Sequence, residues 1–256
     1  SFTGSPEIGR EIASKCGANL VPIKCELGGK GAAVVCDDVD IPDTAQKLVE
    51  AITFHTGQVC CDATRWLIQK DIYDSFVSEC VDRMQKIHIG YQLDESTQMG
   101  PVVSRKQEER VLGYLERGGK EGAELVLEGG KAEVPSRNGH YVKPALLAGS
   151  LDNVAACEEI FGPVAYLAPY DTDEQAIEMT NNTDYGLGNS VWSSNLERAH
   201  GVAEQMVAGN SWINGHNLIV HGVPYAGIGK SGMGGGVLSI ETLLDYWRPL
   251  TVLRPL

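Results

Sequence analysis

The apolar positions along the chain switch repeatedly between a helical and a strand-like period. Ile72, Phe76, Cys80, Met84 and Ile87 recur at three- and four-residue intervals, the spacing that lines one face of a helix. Ser5-Pro6-Glu7 reads as a helix start, with Ser as N-cap, Pro in the first turn and an acid near the positive end of the helix dipole. Asp43-Thr44-Ala45-Gln46 predicts a capping box for a second helix that buries Leu48, Val49 and Ile52. Ser104 predicts the cap of a third, running to about Lys120. Short apolar runs at 64–68, 125–127, 164–168, 189–192 and 211–213 predict strands, with helices expected near 173–182 and 196–207. Alternation of this kind predicts an α/β fold with a largely parallel sheet. Gly-rich stretches at 28–31 and 222–236 interrupt the pattern, and no internal repeat is visible. Near the C-terminus, Leu250-Thr251-Val252-Leu253 reads as a terminal strand that pairs with another chain.

Composition narrows the function classes. With 256 residues, 43% hydrophobic and 21% charged, the chain suits one large domain or two modest ones. Its net charge of -13 argues against nucleic acid and anionic membranes, which need clustered Lys and Arg. No apolar run approaches the roughly 20 residues that span a bilayer, and the first residues show no signal-peptide pattern. Seven Cys residues, an odd number without a CxxC pair, read as reduced thiols in a cytoplasmic protein. The six His residues lack ligand spacing, so no metal site is expected.

Two short stretches carry candidate chemistry. In Phe54-His55-Thr56-Gly57-Gln58-Val59-Cys60-Cys61, Gly57 permits a tight turn before a thiol, and donors at a helix N-terminus nearby would stabilise its anion. Taken alone, an adjacent Cys pair after a helix also reads as two small core residues. His55 lies too close in sequence to be positioned as a base. In Lys24-Cys25-Glu26-Leu27-Gly28-Gly29-Lys30, a carboxylate precedes a Gly-Gly turn. Held in a cleft, its pKa would rise into the range of a general base; facing water, it would be an ordinary strand-end acid.

Together the two stretches resemble the aldehyde dehydrogenase superfamily. Its Glu-Leu-Gly-Gly-Lys and Gly-Gln-x-Cys runs appear here as Glu26 to Lys30 and Gly57 to Cys60, in the family's order. The resemblance continues through Glu158-Glu159-Ile160-Phe161-Gly162-Pro163, Asn181 to Leu187, Trp212-Ile213-Asn214 and Pro224 to Gly232. It implies Cys60 as nucleophile, selected over Cys61 by the spacing, and Glu26 as general base. It implies NAD or NADP as cofactor. Gly4 and Ser5 would lie at the turn that holds the diphosphate, Leu27 and Gly28 against the nicotinamide, and Glu159 on its ribose with Phe161 beside it. His216, Asn217 and Tyr225 fall where the family shapes its substrate pocket.

The mechanism so implied is attack of the Cys60 thiolate on an aldehyde, hydride loss to the nicotinamide, and hydrolysis of the thioester by a water that Glu26 activates. The presence of Glu26 resembles the acid-forming branch rather than the CoA-acylating one. The implied domains are the remnant of a Rossmann-like cofactor domain over 1–28, a three-layer α/β/α catalytic domain with a mostly parallel sheet over 29–228, and a return segment with an oligomerisation strand over 229–256. A homo-oligomer is expected, with a separate chain as another source of the family's N-terminal half. That half carries the Asn oxyanion donor and the adenosine-ribose contacts, outside these 256 residues. Local departures are Cys25, Gly31, Gly235-Gly236 and Asp62; an inward-pointing Asp62 would raise the Cys60 pKa. Two other readings stay open: a Cys60/Glu26 esterase or thioesterase that needs no cofactor, and a non-catalytic assembly module.

Overall fold

Residues 1–135 and 138–255 are described by a computed structural model. The chain opens with β1 (Phe2–Thr3), α1 (Pro6–Ala18), β2 (Cys25–Glu26), β3 (Gly31–Val35) and α2 (Ile41–Thr53). A 3-10 turn at Phe54–Gly57 leads into β4 (Ala63–Gln69) and then α3 (Tyr73–Met84). Next come α4 (Arg105–Lys120), β5 (Glu124–Leu127), β6 (Gly130–Lys131), β7 (Val142–Lys143), β8 (Ala145–Ala148), α5 (Val154–Cys157) and β9 (Val164–Tyr170). The last part holds α6 (Asp173–Asn181), β10 (Tyr185–Gly186), β11 (Gly188–Trp192), α7 (Leu196–Ala203), β12 (Asn210–Ile213), β13 (Ile228–Gly229), β14 (Gly232–Met233) and α8 (Ile240–Leu244).

Seven strands form the main sheet in the order β12-β11-β3-β4-β9-β8-β5. Every neighbouring pair is parallel except β5 with β8. Side chains alternate across it. Ala33, Val35, Trp66 and Ile68 pack under α2 and α3 on one face. Ala32, Val34, Leu67 and Tyr170 meet α6 and α7 on the other, where Leu147, Val164 and Tyr166 also meet α4 and α5. The result is the expected three-layer α/β/α arrangement. Trp66 and Trp192 are buried at its centre, and each indole N–H is satisfied, by the Ala63 carbonyl and the Ser190 hydroxyl, as burial requires.

A smaller sheet, β1-β2-β14, joins the start of the chain to its late segment: β2 pairs parallel with β1 and antiparallel with β14. The topology also decides where the motifs meet. β11, β3, β4 and β9 are adjacent and parallel, so the segments leading into them converge at one end of the sheet. Those segments are 187, 27–30, 59–62 and 158–163.

Several expectations change. Helix α2 starts a turn before the expected capping box: Asp40 is the N-cap, its carboxylate accepting from the Asp43 N–H at 3.0 Å, with Pro42 in the first turn. Proline preorganises that earlier start. Strands β3 and β8 were not expected. Residues 250–253 pair with no strand of this chain, and Leu250, Val252 and Leu253 are 84%, 82% and 87% exposed. Leu256 lies outside the described residues.

Candidate active site

The thiol sits on a turn forced by left-handed backbone. His55, Thr56 and Gly57 have φ of 50°, 58° and 66°. A Cβ on Gly57 would stand 2.2 Å from the Gly162 carbonyl carbon, so glycine is required there twice over. The Gln58 amide braces the turn, donating to the His55 carbonyl at 3.1 Å and accepting from the Val103 N–H at 2.9 Å. Thr56 donates to the Gly100 carbonyl at 3.1 Å. Partly buried Cys60 follows, and the chain then enters β4. No helix begins at the thiol, so the expected stabilisation by a helix N-terminus does not occur; side chains take that role.

Glu26 comes to the thiol from β2. It is 6% exposed, and among the described residues neither of its oxygens has a hydrogen-bond partner. Burial, then the neighbouring Cys60 charge, pushes its pKa up to about 7, with Lys24 opposing. Close packing joins the two stretches, since a Cβ on Gly29 would lie 2.0 Å from the Cys60 carbonyl oxygen. The Cys60 thiol is held below its usual range by the adjacent Cys61 thiol and by Tyr225, against burial and the Glu159 charge. The Cys60 neighbour, then burial, raises Cys61 instead.

A cleft of about 1320 Å³ opens in front of the thiol. It brings together Cys60 with Gly4, Ser5, Leu27, Gly28, Glu159 and Phe161, all singled out from the sequence. Ser5 caps α1, its hydroxyl accepting from the Ile8 N–H at 3.5 Å, so the helix N-terminus faces the cleft. The Glu159 carboxylate accepts from the Gly29 N–H at 2.8 Å, and burial raises its pKa. A Cβ on Gly28 would strike that carboxylate at 2.4 Å.

The supports of Glu159 were not legible in the sequence. Gln107 donates to the Phe161 carbonyl at 2.6 Å, and Arg110 to the carbonyls of Ile160, at 3.2 Å, and Glu159. Fully buried Lys30 donates to the Ala155 carbonyl at 2.8 Å, and burial pushes its pKa down to about 7. These contacts span 49 to 125 positions, beyond any local spacing signal; only the polar face of α4 hinted at Gln107 and Arg110.

Behind the thiol lie the three residues assigned to the substrate pocket, none of which lines the cleft. The Tyr225 hydroxyl is 3.7 Å from Cys60 Sγ. Cys61 Sγ donates to Asn217 Oδ1 at 3.1 Å, and Asn217 Nδ2 to Asp62 Oδ1 at 2.6 Å. His216 Nε2 lies 2.8 Å from the Cys61 carbonyl and Nδ1 3.0 Å from the Ser190 hydroxyl. A carbonyl only accepts, so Nε2 carries the proton and Nδ1 accepts. Burial pushes the His216 pKa down to about 4, keeping it neutral. Asp62 does point inward, at 2% exposure. The expected rise at Cys60 is nevertheless absent, because burial pushes Asp62 itself up to about 8 and leaves it largely uncharged near neutrality.

Comparison with known proteins agrees with this geometry. The aldehyde dehydrogenase family model matches residues 1–252. A betaine aldehyde dehydrogenase of Sinorhizobium fredii is 38% identical over 235 residues, covering 91% of this chain and 48% of that protein. A putative aldehyde dehydrogenase of Bacillus subtilis is 37% identical, with 91% and 47% covered. A crystal structure of Staphylococcus aureus betaine aldehyde dehydrogenase in complex with NAD+ superposes with a TM-score of 0.91 at 33% identity, covering 96% of this chain and 49% of that one. The chain therefore spans about half the length of the curated relatives it matches. With nearly every residue inside the family model and the stretches that carry its two signatures packed together at Gly29 and the Cys60 carbonyl, the chain belongs to the aldehyde dehydrogenase family.

Proposed function

We propose that this chain is the catalytic portion of an enzyme oxidising an aldehyde to a carboxylic acid with NAD or NADP. The observation that carries the reading is Glu26, a buried carboxyl without a hydrogen-bond partner that feels the Cys60 charge and titrates near neutral pH. The Cys60 thiolate adds to the aldehyde carbon, and the Cys60 backbone N–H is the oxyanion donor that this chain supplies. Hydrolysis of the later thioester needs a water to lose a proton, and Glu26 is the base that takes it. The carboxyl product then leaves the thiol free.

The cleft fits a dinucleotide. Gly4 and Ser5 present a helix start suited to phosphate oxygens, Gly28 leaves room beside Glu159 that a Cβ would fill, and the Glu159 carboxylate suits ribose hydroxyls. Leu27 and Phe161 supply apolar cover. When bound, the nicotinamide supplies the hydride acceptor. These residues beside Cys60 favour dinucleotide use over a cofactor-free hydrolase or an assembly module. The division into 1–28, 29–228 and 229–256, a homo-oligomer and a cytoplasmic location belong to the same proposal. Exposed Leu250, Val252 and Leu253 support the oligomer, and no helix among the described residues is long and apolar enough to cross a membrane.

The test is NADH or NADPH formation from an aldehyde panel that includes betaine aldehyde, the substrate named for several relatives, using the enzyme with its cofactor half. Cys60→Ala should abolish turnover. Glu26→Gln should keep a burst of reduced cofactor while slowing the steady state by about 10²–10⁴. Normal steady-state turnover in Glu26→Gln would remove the base from the mechanism.

A further inference from the structure

Tyr225 is aimed at the reactive sulfur. Its hydroxyl lies 3.7 Å from Cys60 Sγ, within hydrogen-bonding range for sulfur. Its ring is 8% exposed and packs with Cys61, Leu187, Trp212 and Val237. Its backbone is clamped by Val237 in both directions, with N–H to carbonyl distances of 2.9 and 2.7 Å. Ring and backbone together leave the hydroxyl little freedom to turn away.

The competing donor is Cys61, and its proton is already engaged. Asn217 Nδ2 donates to Asp62 Oδ1 at 2.6 Å, which turns Asn217 Oδ1 toward Cys61, 3.1 Å from its sulfur. A thiol carries one proton, so a Cys61 proton given to Asn217 is not available to Cys60. His216 is excluded because both ring nitrogens are engaged, by Ser190 and the Cys61 carbonyl. Tyr225 retains its own proton, since burial holds its ionisation above the usual phenol range.

We propose that the Tyr225 hydroxyl donates a hydrogen bond to the Cys60 sulfur and is a third catalytic group, holding the nucleophile as thiolate. This rests on the reading of Cys60 as nucleophile. The Cys60 proton leaves to water in the cleft, and the Tyr225 O–H bond stays intact throughout. The bond strengthens when the sulfur becomes an anion, because a charged acceptor roughly doubles its strength; that difference shifts the thiol toward ionisation. The role is separate from shaping a substrate pocket, since it operates before any aldehyde binds.

The experiment is the pH dependence of iodoacetamide alkylation at Cys60, followed by peptide mass spectrometry to separate it from the other six cysteines. Tyr225→Phe keeps the ring and removes the donor. Its alkylation midpoint should rise by about one pH unit, a roughly tenfold loss of thiolate below the midpoint. Cys61→Ala should move the midpoint much less. Replacing Tyr225 by 3-fluorotyrosine, a stronger donor of the same shape, should move it down. An unchanged midpoint in both Tyr225 variants overturns the proposal, as does an equal upward shift in Cys61→Ala. Failure of Cys60 to react at any pH in the unsubstituted chain would overturn the nucleophile reading itself.

Discussion

A Cβ on Gly29 would stand 2.0 Å from the Cys60 carbonyl oxygen, so this glycine sets how closely the carboxylate stretch can approach the thiol stretch. Gly29→Ala should push the Cys60 turn away by a fraction of an ångström to an ångström. Displacements of that size at a reacting group cost on the order of 10² in rate. The expected outcome is a kcat/KM lower by about that factor with an unchanged circular dichroism spectrum; unaltered kinetics would show that the contact relaxes elsewhere. At this scale the candidate thiol and carboxylate were legible in the sequence, because Gly57-Gln58-Val59-Cys60 and Glu26-Leu27-Gly28-Gly29-Lys30 are contiguous. The environment of each was not. Tyr225 reaches Cys60 across 165 positions and Glu159 reaches Gly29 across 130. Asp62 was legible as an acid beside the thiol, but its neutrality follows only from burial.

Helix α2 shows how elements were read and misread. Its buried face, Leu48, Val49 and Ile52, follows the helical period as expected, whereas its start lies one turn earlier at Asp40. Removing that cap by Asp40→Ala should cost about 1 kcal/mol, measured by urea unfolding. A loss no larger than that of Asp43→Ala would return the start of the helix to the expected box. Asp43 is also a weaker choice of cap on the structure, since its carboxylate is drawn toward Lys47 at 2.7 Å. The main-sheet strands missed from the sequence, β3 and β8, share a cause. Gly31-Ala32-Ala33-Val34-Val35 and Ala145-Leu146-Leu147-Ala148 are buried on both faces, so they lack the alternation that marks a half-exposed strand. The main-sheet strands read from the sequence are β4, β5, β9, β11 and β12; of these β4 and β9, at seven residues, are longer than β3 or β8 and carry aromatic and β-branched residues together.

Across the whole molecule, the parallel order β11-β3-β4-β9 places the site where strands begin, while open α/β sheets commonly use the ends where strands finish. It also buries two carboxyls at that end. Glu26 and Asp62 have folded pKa values raised to about 7 and about 8 by burial, above those of an unfolded chain. The protonated forms therefore favour the fold: this stabilising contribution is complete below about pH 4 and is lost as pH rises through 7 and 8. Thermal unfolding between pH 5 and 9 should show the melting temperature falling as pH rises toward about 8 and levelling above it. Asp62→Asn, which can still accept from Asn217, should flatten that fall and gain roughly 1–3 kcal/mol at pH 9. An identical pH profile in the variant would place Asp62 in contact with water. By itself the sequence determined what depends on neighbours along the chain: helix faces, most strands, the identity of the thiol and the carboxylate, and the family they resemble. Only the tertiary structure decided which segments meet, what ionises and which donor faces the sulfur. Those properties come from groups tens to more than a hundred positions apart and from the removal of water around them, and neither leaves a periodic trace in the order of residues.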